Sequence, residues 1–178
     1  MARIDPLAEE DAPAPVKDAL DGHRLKYNAR ITNMKATLAH SLPAFEVYME
    51  WYRLYERIGE ILGHRLAYLF AYSISEGSDC PLCTTFFRKI IIDNGEDPED
   101  IRFTEDEQMV MDLGSAISLH HGKIDSALFE RVSSQYSTAQ MVELVAFAGQ
   151  MVATNIFSNV TETDIDEYLQ TYISFTDK

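Results

Sequence analysis

At 178 residues, with 46% hydrophobic and 25% charged side chains, the chain has the composition of a globular protein and the length to bury a core without disulfides or metal staples. Its formal net charge of -14 sets up a negative potential that repels phosphate backbones and anionic lipids, so neither nucleic acid nor a membrane surface is an expected partner. Both halves are acidic, and no basic region hides inside the average.

The first fifteen residues, "MARIDPLAEEDAPAP", contain no apolar run of the kind a secretory leader needs. Their prolines and acids predict an extended arm over residues 1–14, with a first helix starting near Val16, in one domain spanning 1–178. Pro43 suits a first helical turn, and "AFEVYMEWYRLYERI" repeats apolar side chains at helical spacing, which predicts a single amphipathic helix. "ILGHRLAYLFAYSIS" reads as a helix apolar nearly all round, and "CPLCTTFFRKIIIDNG" as the next one, stopping at Gly95. The strand-like "IIID" falls late in that helical pattern. Capping-box spacings place three further helix starts at Thr104 with Glu107, Ser137 with Gln140, and Thr163 with Asp166. "MVELVAFAGQMVATNIFSNV" carries Glu143, Gln150 and Asn155 and no flanking lysine or arginine, so it reads as a buried helix and not a membrane span. No segment alternates at period two between turn signals, and the fold class expected is all-α.

Both cysteines lie in "DCPLCTTFFR", three positions apart. With no export signal they point to thiols in a reducing compartment, the cytoplasm. If Cys80 is the N-cap, Pro81 takes the first helical position and Cys83 lies in the first turn, so both sulfurs sit near free backbone amides at the positive end of the helix dipole. That environment favours a thiolate, and one turn of helix brings two sulfurs close enough for a reversible disulfide. Two other readings stand beside this one. Small buried cysteines often only pack, and the acids Glu76 and Asp79 disfavour a thiolate. A zinc site would need two further ligands from His23, His40, His64, His120 or His121, none of which forms a His-x-x-x-His pair; no metal and no cofactor is expected.

"LGHRLAYLFAYSISEGSDCPLCTTFFRKIIIDNGEDP" resembles the core motif of the carboxymuconolactone decarboxylase family, in particular its alkylhydroperoxidase D-like (AhpD-like) branch, where a helix leads into Cys-x-x-Cys and a second helix. "RIDPLAEEDAPAPVKDAL", "NMKATLAHSLPAFEVYMEWY" and "STAQMVELVAFAGQMVATNIFSNVTETDID" resemble the family's N-terminal arm, its Ala-His-Ser-Pro segment and its closing helix, in that order. The resemblance implies an AhpD-like helical bundle that forms homo-oligomers (dimers, trimers or hexamers). It also implies peroxidase-related or disulfide-reductase chemistry, in which Cys83 attacks a small hydroperoxide or disulfide, Cys80 resolves it, and a small protein or low-molecular-weight thiol is the reductant. Members acting as lactone decarboxylases lack the cysteine pair.

Three positions depart from the family's redox pattern: Phe87 and Leu82 stand where it has histidines, and Tyr68 where it has a glutamate. The usual proton relay is therefore missing. Glu76, close to the pair in sequence, is the first candidate to replace it, and Tyr68 retains a hydroxyl to donate. The stretch holding Tyr48, Trp51, Tyr52, Tyr55, Tyr68, Phe70, Tyr72, Phe86 and Phe87 lines either an apolar ligand pocket or the core and subunit interfaces. Two functions of different class follow. One is a thiol-dependent oxidoreductase with an antioxidant role; the other is a non-catalytic oligomeric scaffold or small-molecule binder on the same fold.

Overall fold

The computed structural model describes residues 1–174, and among these the regular structure is entirely helical. Nine α-helices follow one another in the described residues: α1 (Ala14–Tyr27), α2 (Asn33–Leu38), α3 (Leu42–Met49), α4 (Trp51–Leu62), α5 (His64–Gly77), α6 (Pro81–Asp93), α7 (Glu105–Leu119), α8 (Ser126–Ser133) and α9 (Thr138–Thr161). Short 3₁₀ turns lie at Glu9–Asp11 and Glu167–Tyr172.

Helix α5 is the axis of the molecule, with every residue from Leu66 to Ser75 buried. A helix apolar all round has to be surrounded, and α4, α6, α7 and α9 do so. Its neighbours run in two directions. Arg65 pairs with Glu107, and Asn155 and Asn159 reach the carbonyls of Ile74 and of Ser78 and Asp79, so α7 and α9 run parallel to α5. Arg57 pairs with Glu143 near the start of α9, so α4 runs the opposite way.

The contact of α5 with α7 depends on two glycines facing two serines. A methyl group added at Gly77 would meet Ser118 Oγ at 2.1 Å, and one added at Gly114 would meet Ser73 Oγ at 2.3 Å and the Phe70 ring at 3.0 Å. Each serine hydroxyl turns back to its own helix, Ser73 to Phe70 O and Ser118 to Gly114 O and Ser115 O. The hydroxyls are thus satisfied while the helices approach closely.

The predicted stretch "AFEVYMEWYRLYERI" is two helices bent at Glu50, where one was expected. The bend serves two cores: Phe45 and Met49 pack with Val16, Leu20 and Leu38, while Leu54, Tyr55 and Ile58 join the main core around α5. The boxes at Thr104 and Ser137 are formed in full. The one at Thr163 is not; its hydroxyl contacts that of Thr161 at 2.7 Å, and the Asp166 carboxylate is drawn across the chain to accept from Asn33 N at 2.9 Å. Among the described residues only the 3₁₀ turn follows. Helix α9 is long and apolar enough to cross a membrane by length and composition, yet only one face is buried, through Leu144, Phe147, Ala148, Met151 and Asn155. Its other face exposes Val142, Val145, Ile156 and Val160, so the expected burial holds for one face of the helix. Helix α8 was not anticipated. Its start is set by Asp125, whose carboxylate accepts from Ala127 N and Leu128 N.

In the smaller core, His23 is buried against Tyr27, Phe45 and Tyr52, and neither ring nitrogen has a hydrogen-bond partner. Burial, with the nearby charge of Lys35 adding to it, pushes its pKa down to about 4. The unfolded chain therefore takes up a proton, starting near pH 6.5, that the folded chain refuses until about pH 4. Stability is complete above that window and is lost as pH falls through it. His23→Phe is expected to retain about 2 kcal/mol that the wild type loses between pH 7 and pH 4.5, read as the difference in urea midpoint shifts. Equal shifts in the two proteins would clear His23 of any part in acid sensitivity.

Candidate functional site

The cysteine turn is built from both sides. Helix α5 ends with Asp79 in the left-handed region at φ 49°; Asp79 N donates to Glu76 O and Cys80 N to Ser75 O, the paired bonds of a Schellman stop. A non-glycine residue in that conformation needs support. Asn159 of α9 supplies it, its side-chain amide donating to Ser78 O at 3.1 Å and to Asp79 O at 3.0 Å. Cys80 then opens α6 as its N-cap, with Pro81 in the first turn and Cys80 Sγ accepting from Cys83 N at 3.4 Å. The expected placement of both sulfurs at a helix start is what is found.

The two thiols, both free and buried, are not equivalent. Cys80 Sγ accepts a hydrogen bond from the Cys83 thiol as well as from backbone amides, and this lowers its pKa. The shared proton, together with burial, raises that of Cys83 well above the usual thiol range. Of the two thiols, Cys80 is therefore the one that loses its proton more readily, and Cys83 the one that keeps it. Cys83 Sγ donates to Ser158 Oγ at 4.0 Å, and the serine hydroxyl partly opposes the rise in the Cys83 pKa.

Only Cys83 of the two lines a cavity of about 80 Å³ between α2, α4, α6, α9 and the C-terminal turn. Its walls are mainly apolar and aromatic: Met34, Trp51, Tyr52, Leu82, Phe86, Phe87, Met151 and Leu169. Of the aromatic stretch read from the sequence, Trp51, Tyr52, Phe86 and Phe87 face this cavity, while Phe70 is core. Three hydroxyls, of Thr32, Thr154 and Ser158, and two ionisable side chains, Lys35 and Asp166, break the apolar lining. Lys35 is buried, with Nζ donating to Arg30 O at 2.7 Å and to Tyr52 Oη at 2.8 Å. Burial pushes its pKa down to about 8, with partial compensation from the Asp166 carboxylate. Asp166 Oδ2 is buried and has no partner, and desolvation raises the pKa of that carboxyl.

The other candidates from the sequence lie elsewhere. Tyr68 is near the start of α5 and donates to Glu96 Oε1 at 2.8 Å, in a network where Arg65 holds Glu96, Glu107 and the Arg102 carbonyl. Glu76 accepts from Tyr72 Oη at 2.6 Å and borders a separate polar cavity with Arg88 and Glu99. Arg88 itself donates to Glu99 at 2.7 Å and to Tyr172 O. None of these, and none of the five histidines, lines the cavity holding Cys83. Sequence reasoning missed Lys35, Asp166 and Asn159. In the sequence Asn159 and Asp166 signal only a closing helix and a helix start, and nothing local distinguishes Lys35 from the other basic residues. Among the described residues no group of three or more histidine, cysteine or acidic side chains converges as metal ligands would.

No protein-family profile matches the chain, and no curated protein does. Solved structures do match it. The debrominase Bmp8, in a cysteine-to-alanine form in complex with 2,3,4-tribromopyrrole, superposes with a TM-score of 0.77 at 15% identity, covering 95% of this chain and 94% of that one. The same debrominase without ligand gives a TM-score of 0.77 at 16% identity, with 95% of each chain covered. An uncharacterized peroxidase-related protein from Silicibacter sp. TM1040 gives 0.67 at 11% identity, covering 89% of this chain and 88% of the other. At these identities the likeness is one of architecture, and the chain has the all-helical AhpD-like fold.

Proposed function

We propose that the chain is a thiol-dependent oxidoreductase whose Cys83 reduces a small hydroperoxide or disulfide and whose Cys80 resolves the oxidised product. The observation that carries this reading is the division of labour between the sulfurs: Cys83 faces an apolar cavity, and Cys80 sits one turn behind it, bonded to it and closed off from that cavity. Transfer of the shared proton from Cys83 to Cys80 puts the thiolate where a substrate would lie. With a hydroperoxide, Cys83 sulfur bonds to the terminal oxygen, the O–O bond breaks, and the alkoxide leaves and takes a proton to become the alcohol. Cys80 sulfur then attacks the sulfenic acid, the S–S bond forms, and water leaves. A dithiol or low-molecular-weight thiol returns the two electrons. The exposed Val142, Val145, Ile156 and Val160 face of α9 supports self-association, which the family resemblance also implies.

A redox titration of the Cys80–Cys83 couple in defined thiol buffers, read by alkylation and mass spectrometry, tests this. The expected result is a reversible two-electron transition between roughly -180 and -300 mV. A pair that never forms its disulfide would support the other class of function, a binder in which the cysteines only pack.

A second electrophile is favoured by one observation, the debrominase neighbour that holds 2,3,4-tribromopyrrole. In a cavity with aromatic walls and an unpartnered Asp166 oxygen to take a ring N–H, the Cys83 thiolate would remove bromine from carbon, forming S–Br while the carbon takes a proton. Cys80 would then expel bromide. Assay of hydroperoxide and brominated heteroaromatic side by side separates the two substrates.

A further inference from the structure

A thiolate that breaks an O–O bond in a mainly apolar cavity releases an alkoxide, a strong base whose departure a proton donor placed in the cavity assists. The positions that carry the family's relay hold Phe87, Leu82 and Tyr68; the first two are apolar and the third is bound to Glu96 outside the cavity. The cavity nevertheless contains a proton donor. Lys35 is 5% exposed, and among the described residues no carboxylate lies within ion-pair distance of it. A buried ammonium without a paired anion costs several kcal/mol, and a neutral donor at this position would satisfy Arg30 O as well. Two of its three N–H groups go to Arg30 O and Tyr52 Oη. Because Tyr52 Oη accepts from Lys35, its own O–H is left to donate, and Lys35 and Tyr52 share the cavity with Cys83.

We infer that Lys35, acting directly or through the Tyr52 hydroxyl it holds, is the general acid that protonates the oxygen expelled when Cys83 attacks a hydroperoxide. This inference rests on the proposed oxidoreductase reading. The balance is complete: Cys83 sulfur gives two electrons and forms S–O, the O–O bond breaks, the leaving oxygen takes the lysine proton, and solvent returns a proton to the amine. Burial holds the lysine near a pKa of about 8, where it gives up a proton far more readily than an exposed lysine does. The titratable groups that act on it or share its cavity are His23 from α1, Tyr52 from α4, Cys83 from α6, and Asp166 from the C-terminal turn, while Tyr27 and Tyr168 act on Tyr52 in turn. Of these, the Asp166 carboxylate favours the charged lysine, and His23 stays neutral above about pH 4.

The test is single-turnover oxidation of the reduced protein by two oxidants with different leaving groups, tert-butyl hydroperoxide and peracetic acid, across pH 6–10. A carboxylate leaves without needing a proton; an alkoxide does not. Lys35→Met is expected to slow the reaction with tert-butyl hydroperoxide about 100-fold, to leave that with peracetic acid within about threefold, and to abolish a fall in rate above pH about 8. Tyr52→Phe, which keeps the ring that stacks on Tyr27, is expected to show the same selectivity more weakly. Equal slowing with both oxidants, or an unchanged pH limb, would mean that Lys35 only shapes the pocket and would overturn the inference alone. A wild-type protein that forms no Cys80–Cys83 disulfide with either oxidant would overturn both readings.

Discussion

Cys83→Ser is expected to lower hydroperoxide- or disulfide-driven turnover on the order of a thousandfold, and Cys80→Ser to stop turnover at a different point. The first substitution removes the sulfur that reaches the cavity, so no covalent step begins. The second leaves that sulfur in place but removes its resolving partner, so one equivalent of oxidant should be consumed and a sulfenic acid at Cys83 should persist. Dimedone labelling followed by mass spectrometry distinguishes the two. The geometry makes the outcome informative, because acidity and access are divided: the lower pKa belongs to Cys80 and the cavity opens on Cys83. If Cys83→Ser accumulated the trapped sulfenic acid at Cys80 and Cys80→Ser were inert, the thiolate position would outweigh access and the roles would be exchanged. Cys80→Ser also removes the more acidic sulfur that interacts with the Cys83 thiol, so its first step should be slower than that of the wild type at neutral pH.

The largest stability effect is expected at Phe147. Its ring is fully buried and lies 5.9 Å from Tyr55, 6.0 Å from Phe70 and 6.2 Å from Trp51, centroid to centroid. It joins α9 to α4 and α5 and abuts the same Trp51 that walls the cavity. Phe147→Ala deletes the ring and leaves a void that three large neighbours on two other helices, α4 and α5, cannot close, which places the loss at about 3–5 kcal/mol. For a domain of ordinary stability that is a large share of the total. The measurement is urea unfolding, with a lowered midpoint and an unchanged slope. A loss below about 1 kcal/mol would mean that α9 and α4 close over the gap, and the cavity beside Trp51 would then have changed shape.

The elements most legible in the sequence were those written in local signals. The Cys80–Pro81 start of α6, the stop at Gly95 and the boxes at Thr104 and Ser137 each depend on residues within one turn of one another. Thr163 and Asp166 carried the same local signal and failed, because Asp166 is held by Asn33 from the other end of the chain. The bend at Glu50 has no local mark either; it lets Phe45 pack in the smaller core and Ile58 in the main one, with Trp51 touching both. At the site, the cysteines could be found from spacing alone. Lys35 could not, since a lysine in a six-residue helix looks solvated until Tyr52, Asp166 and Cys83 arrive around it from other elements. Glu76 and Tyr68 were chosen for closeness in sequence or position in a motif, and their side chains are held by Tyr72 and Glu96 instead.

The two glycine-serine contacts between α5 and α7 have the same spacing on both helices, Ser73 and Gly77 against Gly114 and Ser118. They work like the cuts of a key, admitting one sliding position only. Displacing one helix by a turn, about 5.4 Å, would bring serine onto serine in one direction and glycine onto glycine in the other, a clash or a gap. Gly77 is the last residue of α5, immediately ahead of the turn into Cys80. The depth at which the sulfurs sit is therefore indexed from α7, a helix that lines no part of their cavity, and the paired positions would have to change together for the site to keep its place.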